Sequence, residues 1–208
     1  SPPRVPEPGP AYHLRTMPGP TRTEAHTTFL LFFRGVGGPV QLPVAELRAA
    51  LTKAGFKDAT TYINSGNALV RSAISREETL AKVAEICRKK FNYERPIFIP
   101  TAAEWEAVIK HDPFPRKAEG KYVHAALLAT KPQAEAVIAL RALAVEGEEM
   151  AMHTKPLGPY HLCYLHTPHG FGTSKLAEKF DKAIGVINTA RNWNTVLKMH
   201  ELAHALGS

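Results

Sequence analysis

TTFLLFFRGVGG, residues 27 to 38, is an apolar, β-branched and aromatic run that stops at a glycine-rich turn. Seven such residues without polar alternation predict a buried strand, and Gly35, Gly37 and Gly38 predict the turn that ends it. Working outward, Val44, Leu47, Ala50 and Leu51 recur at helical spacing between Val44 and Ala54. Gly55 follows where a left-handed C-terminal cap belongs. TTYIN and ALVRS then flank Ser65 and Gly66 as the arms of a hairpin with a tight polar turn. Ser75, with Glu78 three residues on, forms a capping box before a helix carrying Leu80, Val83, Ile86 and Cys87. PIFIP closes the unit as a strand.

This order, β, α, β, β, α, β, is the split βαβ or ferredoxin-like arrangement, an antiparallel sheet backed by two helices. The second half repeats it. A linking helix (Ala102 to Lys110) and a Pro-rich turn at 112 to 115 lead into the strand KYVHAALLAT and a helix from Gln133 to Val145. Strands near Glu149 to His153 and Tyr160 to His166 follow, then a helix from Ser174 to Ile184. A short extended piece at Val186 to Ile187 leads into RNWNTV and a final helix through Leu206, with Leu197, Leu202 and Leu206 expected to face the core. The expected fold class is α+β: two ferredoxin-like lobes in tandem, residues 27–100 and 101–208, the second including the linking helix and an extra C-terminal helix. Whether the sheets join edge to edge or exchange strands stays open at this level.

A content of 44% hydrophobic and 22% charged residues is ordinary for a soluble globular chain of 208 residues. The sequence has no apolar run of the roughly 20 residues needed to span a bilayer and no signal-peptide pattern, so a cytoplasmic protein without a membrane partner is expected. Cys87 and Cys163 lie in different halves and read as buried thiols, not a disulfide framework. Residues 1–26 hold seven of the 17 prolines and a possible internal start at Met17, and read as a disordered or extended tail. Of the +7 net charge, residues 27–100 carry eleven basic against six acidic side chains, and residues 101–208 twelve against eleven. The first half is therefore the better candidate for an anionic partner.

The polar motifs are concentrated. TARNWNTV, residues 189 to 196, gathers Thr189, Arg191, Asn192, Asn194 and Thr195 around Trp193. Taken with YINSGNALV at 62 to 70, the GFGTSKL loop at 170 to 176 and FRGVGG, it resembles the bacterial domain of unknown function 1697 family. The resemblance runs over residues 27 to 206, with YINSGN and RNWNTV its most specific elements. It implies a fold and a set of motif positions, and no reaction; FRGVGG differs from the longer, Asn-bearing turn usual in that family.

Four segments form the candidate ligand site. They are the turn of Arg34, Gly35, Gly37 and Gly38; the hairpin of Tyr62, Asn64, Ser65 and Asn67; the loop of Gly172, Ser174 and Lys175; and Thr189, Arg191, Asn192, Trp193 and Asn194. Convergence of these segments on one polar cleft between the lobes is the preferred expectation, because clefts between domains are frequent ligand sites. GFGTSK is the best phosphate-handling candidate, since helix N-termini attract anions, although it lacks the Walker A spacing. HELAH at 200 to 204 matches HExxH but has no downstream third ligand. His161, Cys163, His166 and His169 cannot converge from one strand. No metal and no cofactor are therefore expected. Three functions remain open. One is binding of a phosphate-bearing or other anionic partner, nucleotide or nucleic acid, with Trp193 or Tyr62 exposed for stacking. The others are a small-molecule enzyme using the same amide-rich cleft and a protein-interaction module; the sequence does not specify an oligomeric state.

Overall fold

The computed structural model describes residues 25–114 and 119–207. β1 (Thr27–Phe33) is buried at every position after the first. It is central in its sheet, antiparallel to β3 (Asn67–Ser72) on one side and β4 (Ile97–Phe98) on the other. β2 (Lys57–Tyr62) pairs with β3 and forms the far edge, giving the order β2-β3-β1-β4. β4 has only two residues because Pro96 and Pro100 flank its centre and cannot donate to a ladder. α1 (Val44–Lys53) and α2 (Arg76–Phe91) cover one face, where Phe29, Leu31 and Phe33 meet Leu47, Leu51, Val83 and Cys87. The capping box of Ser75 and Glu78 opens α2, and its last turn carries Arg88, Lys89 and Lys90, as the helix dipole favours.

The second sheet has the same pattern, β6-β7-β5-β8, again antiparallel throughout. Its strands are β5 (Val123–Leu128), β6 (Glu149–Met152), β7 (His161–His166) and β8 (Asn188–Asn192). α4 (Ala134–Arg141) and α5 (Lys175–Ala183) cover its outer face over Ala126, Leu128, Cys163 and Leu165.

The remaining two helices, α3 (Ala102–Lys110) and α6 (Trp193–Ala205), join the halves. Alternation along the strands turns Leu30, Phe32 and Leu69 of one sheet, and Val123, Ala125, Leu127 and Tyr164 of the other, away from their outer helices. These side chains close on Trp105 and Val108 of α3 and Trp193, Val196, Met199 and Ala203 of α6, forming one shared core. Polar anchors fix it: Trp105 Nε1 donates to Val196 O at 3.1 Å, and Tyr164 Oη donates to Val108 O at 2.6 Å. Ile99 N donates to Tyr160 Oη at 2.8 Å, directly across the lobes. The sheets neither merge at an edge nor exchange strands; they share a central helical layer. Each large side chain sealed there contributes about 1.5–3 kcal/mol.

Three sequence expectations shift. The strand preceding α6 is Asn188–Asn192, not Val186 to Ile187, so RNWNTV is strand at Arg191 and Asn192 and helix from Trp193 on. Three of the five residues, Asn188, Ala190 and Asn192, are poor strand formers, and pairing with β5 overrides that weakness. Because α6 begins at Trp193, its buried stripe is Trp193, Val196, Met199 and Ala203; Leu197 is 44% exposed, while Leu202 and Leu206 are partly buried. α4 ends at Arg141, short of Val145, and the turn after it is closed by Glu148, whose carboxylate accepts from Val145 N at 3.1 Å. Cys87 and Cys163 are buried free thiols, and burial pushes both up to about 12. Among the described residues no helix is long and apolar enough to cross a membrane. The tail lies outside the described residues, apart from Ala25 and His26.

Candidate functional site

Two arginines of the motifs meet at the boundary between the lobes. The first, Arg34, leaves the end of β1 through Gly35, whose φ of +67° suits glycine. Tyr93 Oη holds this turn by donating to Arg34 O at 2.8 Å, and Arg34 N donates to Pro96 O at 3.1 Å. The Arg34 guanidinium reaches the other lobe, where Nη2 donates to both carboxylate oxygens of Asp181 on α5, at 2.6 and 2.7 Å. Asn188 Nδ2 steadies that carboxylate by donating to Oδ1 at 3.0 Å. Arg95 lies beside the pair and donates from Nη1 to Gly35 O at 3.0 Å. These groups, with Arg191, Phe171 and Phe180, border a cleft of about 570 Å³. Three guanidinium groups against one carboxylate leave it electropositive.

The second arginine, Arg191, is enclosed behind that cleft. Its Nε donates to Asn67 Oδ1 at 2.7 Å, and Nη1 donates to Thr189 Oγ1 and Ala190 O, both at 2.8 Å. Nη2 donates to Phe33 O at 3.0 Å and Gly66 O at 3.2 Å. All five N–H groups are thus engaged within the protein, three of them by the opposite lobe, and none of these acceptors is a carboxylate. Burial without a counter-charge pulls the guanidinium down to about 10. Phe32 lies beneath it at 5.4 Å.

Asn67 is the other half of this brace. Its Nδ2 donates to Tyr62 O and Ser65 Oγ while Oδ1 receives Arg191, so the position needs a side chain that donates and accepts at once. Gly66 has φ +79°, and a Cβ there would lie 2.7 Å from Phe33 O. YINSGN and RNWNTV are therefore two halves of one inter-lobe clamp, tied also to the end of β1.

The structure places the other candidates as follows. Thr189 lines the cleft along with Arg34, Gly35 and Arg191, but its hydroxyl is engaged by Arg191. Gly37 and Gly38 are exposed in the turn beyond. Tyr62 is half-buried against the shared core, and Asn64 and Ser65 are exposed at the hairpin tip. In the GFGTSK loop, Gly172 and Lys175 are exposed, and Ser174 caps α5 by accepting from Ala177 N at 3.1 Å. Only Phe171 of that loop reaches the cleft, and it stacks on His124 at 3.8 Å. Asn192 caps α6 by accepting from Thr195 N at 3.0 Å. Asn194 is exposed, and its Oδ1 occupies the space a Cβ at Gly120 would need.

Trp193 corrects an expectation. It is buried beside Tyr164 at 6.4 Å between ring centres, so it presents no face to a base: as the first residue of α6 it points into the shared core. Among the described residues no group of three His, Cys, Asp or Glu side chains can hold a metal ion. Arg95, Phe171, Phe180, Asp181 and Asn188 line the cleft without having been singled out in the sequence. Asp181 reads there as an ordinary exposed helix acid. Arg95 offers only the slight signal of a basic residue beside a proline before a short strand.

Residues 26–157 match the family model described as "Protein of unknown function (DUF1697)". The matched region includes YINSGN and stops before RNWNTV. The fold is similar to that of the conserved bacterial protein SP0830 from Streptococcus pneumoniae, at TM-score 0.65 and 20% identity, covering 86% of this chain and 99% of that one. No curated protein matches the sequence.

Proposed function

The chain belongs to the DUF1697 family of proteins of unknown function, and from that premise we propose that it binds a phosphate-bearing small molecule of the nucleotide class in the cleft between its lobes. The observation that carries this reading is the Arg34–Asp181 pair. A guanidinium at the cleft already grips a planar oxyanion through two short hydrogen bonds, and the Asp181 side chain is 63% exposed, so a ligand oxyanion has access to the same position. Arg95 supplies a second cation, and Phe171 and Phe180 an apolar wall for a planar base. The volume lies within the range of small-molecule pockets.

Binding is favoured over catalysis because the described lining residues include no His, Cys or Lys, and its one hydroxyl, on Thr189, is held by Arg191. A small ligand is favoured over nucleic acid because Trp193 is buried. Calorimetric titration of the full chain with AMP, ATP and inorganic pyrophosphate, at low and high salt, tests the reading. We expect one site, weakened by salt and weakened about tenfold or more by Arg34→Ala or Arg95→Ala, since a hydrogen bond to a charged group is worth about 1.5–3 kcal/mol. Asp181→Asn, which frees Arg34 of its internal anion, is expected to tighten binding. Absence of binding by all three probes, or binding indifferent to both arginines, refutes the proposal.

A further inference from the structure

A second concavity, of about 690 Å³, lies under α4 at the end of the second sheet, lined by none of the residues that form the cleft. Its floor is hydrocarbon: Pro132, Val137, Ile138 and Met152. Ile138 is 66% exposed, an unusual position for a large β-branched side chain on a helix whose core-facing side is already packed by Val137 and Leu140. The rim is basic. Lys131 comes from the loop after β5, Arg141 from the last turn of α4, and His153 and His161 from the strand side. Arg141 is held to β6 by its Nε, which donates to Met150 O at 3.2 Å.

Among the described residues, no carboxylate lines this groove. A further histidine, His111, stacks on His153 at 4.5 Å. His153 is held below the ordinary histidine range by burial, then by the positive charges of His111 and Lys155. Lys131 and Arg141 are therefore the standing cations of the rim, with no interposed acid between them, and the histidine rings beside them offer ring nitrogens, which makes the rim a place that favours an anion. An apolar floor under such a rim matches a ligand that is itself divided into an anionic head and an apolar body.

We propose that this groove is a binding site for an anionic amphiphile, a carboxylate carrying an extended hydrocarbon body. Its chain covers Ile138, Val137 and Met152, and its carboxylate meets the rim of Lys131, Arg141, His153 and His161. The occupant is a small molecule: the lining is confined to α4, the loop before it and the adjoining strand ends, with two cations, Lys131 and Arg141, to meet one anionic head.

Titration of the full chain with decanoate below its micellar concentration tests this, with decanol and decyltrimethylammonium as probes of the same chain length. Decanoate is expected to bind at one site, at least about tenfold more tightly than either, which is about 1.4 kcal/mol. Ile138→Asp, a change at an exposed position that leaves folding intact, should abolish binding, and Lys131→Glu or Arg141→Glu should weaken it. Arg34→Ala should leave it unchanged. Equal binding of the three amphiphiles, indifference to Ile138→Asp, or loss on Arg34→Ala each overturns the proposal. So does failure of decanoate alongside capture of an acidic amphipathic peptide, which assigns the groove to a protein partner instead.

Discussion

Arg191 and Arg34 sit at the same boundary and have opposite characters. Arg191 is enclosed, has each of its five N–H groups engaged by the protein, and is drawn down by burial to about 10. Arg34 is partly open, and its partner is one exposed carboxylate on the other lobe. A saturated donor set holds a structure together and has nothing left for a ligand. An open pair costs little to separate and can exchange its anion. The charge is the same, and access to solvent decides what it does.

The sharpest way to break this comparison is to remove Arg191. Arg191→Met leaves the Asn67 amide oxygen without its donor and strips the Arg191 hydrogen bond from the carbonyls of Phe33 and Ala190, while Gly66 O keeps only its bond from Phe33 N. A loss of more than about 3 kcal/mol is expected in urea unfolding, at about 1–3 kcal/mol per unsatisfied buried group. Arg191→Lys should recover little of it, because one ammonium cannot span both lobes. Next in size is Gly66→Ala, where the added Cβ meets Phe33 O at 2.7 Å in a left-handed backbone. About 2–4 kcal/mol is expected in the same measurement, and an unchanged midpoint would mean that the hairpin is not pinned against β1.

Acid probes the Arg34 side. His124, stacked under Phe171, has a buried Nδ1 with no hydrogen-bond partner among the described residues, and burial lowers it to about 4 from an ordinary 6.5. The unfolded chain binds this proton first, so the contribution of neutral His124 is present at pH 7 and is lost as pH falls from about 6.5 towards 4. That is a step of about 2–3 kcal/mol in stability against pH. His124→Leu should flatten it. The smallest effect belongs to Arg34→Ala, below about 1 kcal/mol, because half-exposed ion pairs contribute little. A loss as large as that of Arg191→Met would show that both arginines are clamps.

The double βαββαβ rhythm is legible in the sequence because its signals are local: the β1 run, the Ser75–Glu78 box, the periodic apolar positions of α1 and α2. β8 is not, since Asn188–Asn192 has little strand propensity of its own and becomes a strand by pairing with β5. The phase of α6 fails for the same reason, with Leu197 outside and Trp193 inside. At the boundary, the polar surplus of YINSGN and RNWNTV is visible in one dimension. Where its donors go is not, because a ligand site and a satisfied brace require the same residue types. Asp181 and Arg95 acquire meaning only across the fold, from groups that face them in the other lobe or the neighbouring turn.

The clamp also bears on how the chain matures. Arg191 and Phe33 are 158 positions apart in sequence. At about 5–20 residues per second, β1 leaves the ribosome roughly 8–30 s before its last partner exists. Until then Leu30, Phe32 and Leu69 have no α6 to cover them. The first sheet must therefore wait half-dressed, with its outer helices in place and its inner face open to water. That makes a late, slow, long-range closure the step most exposed to aggregation.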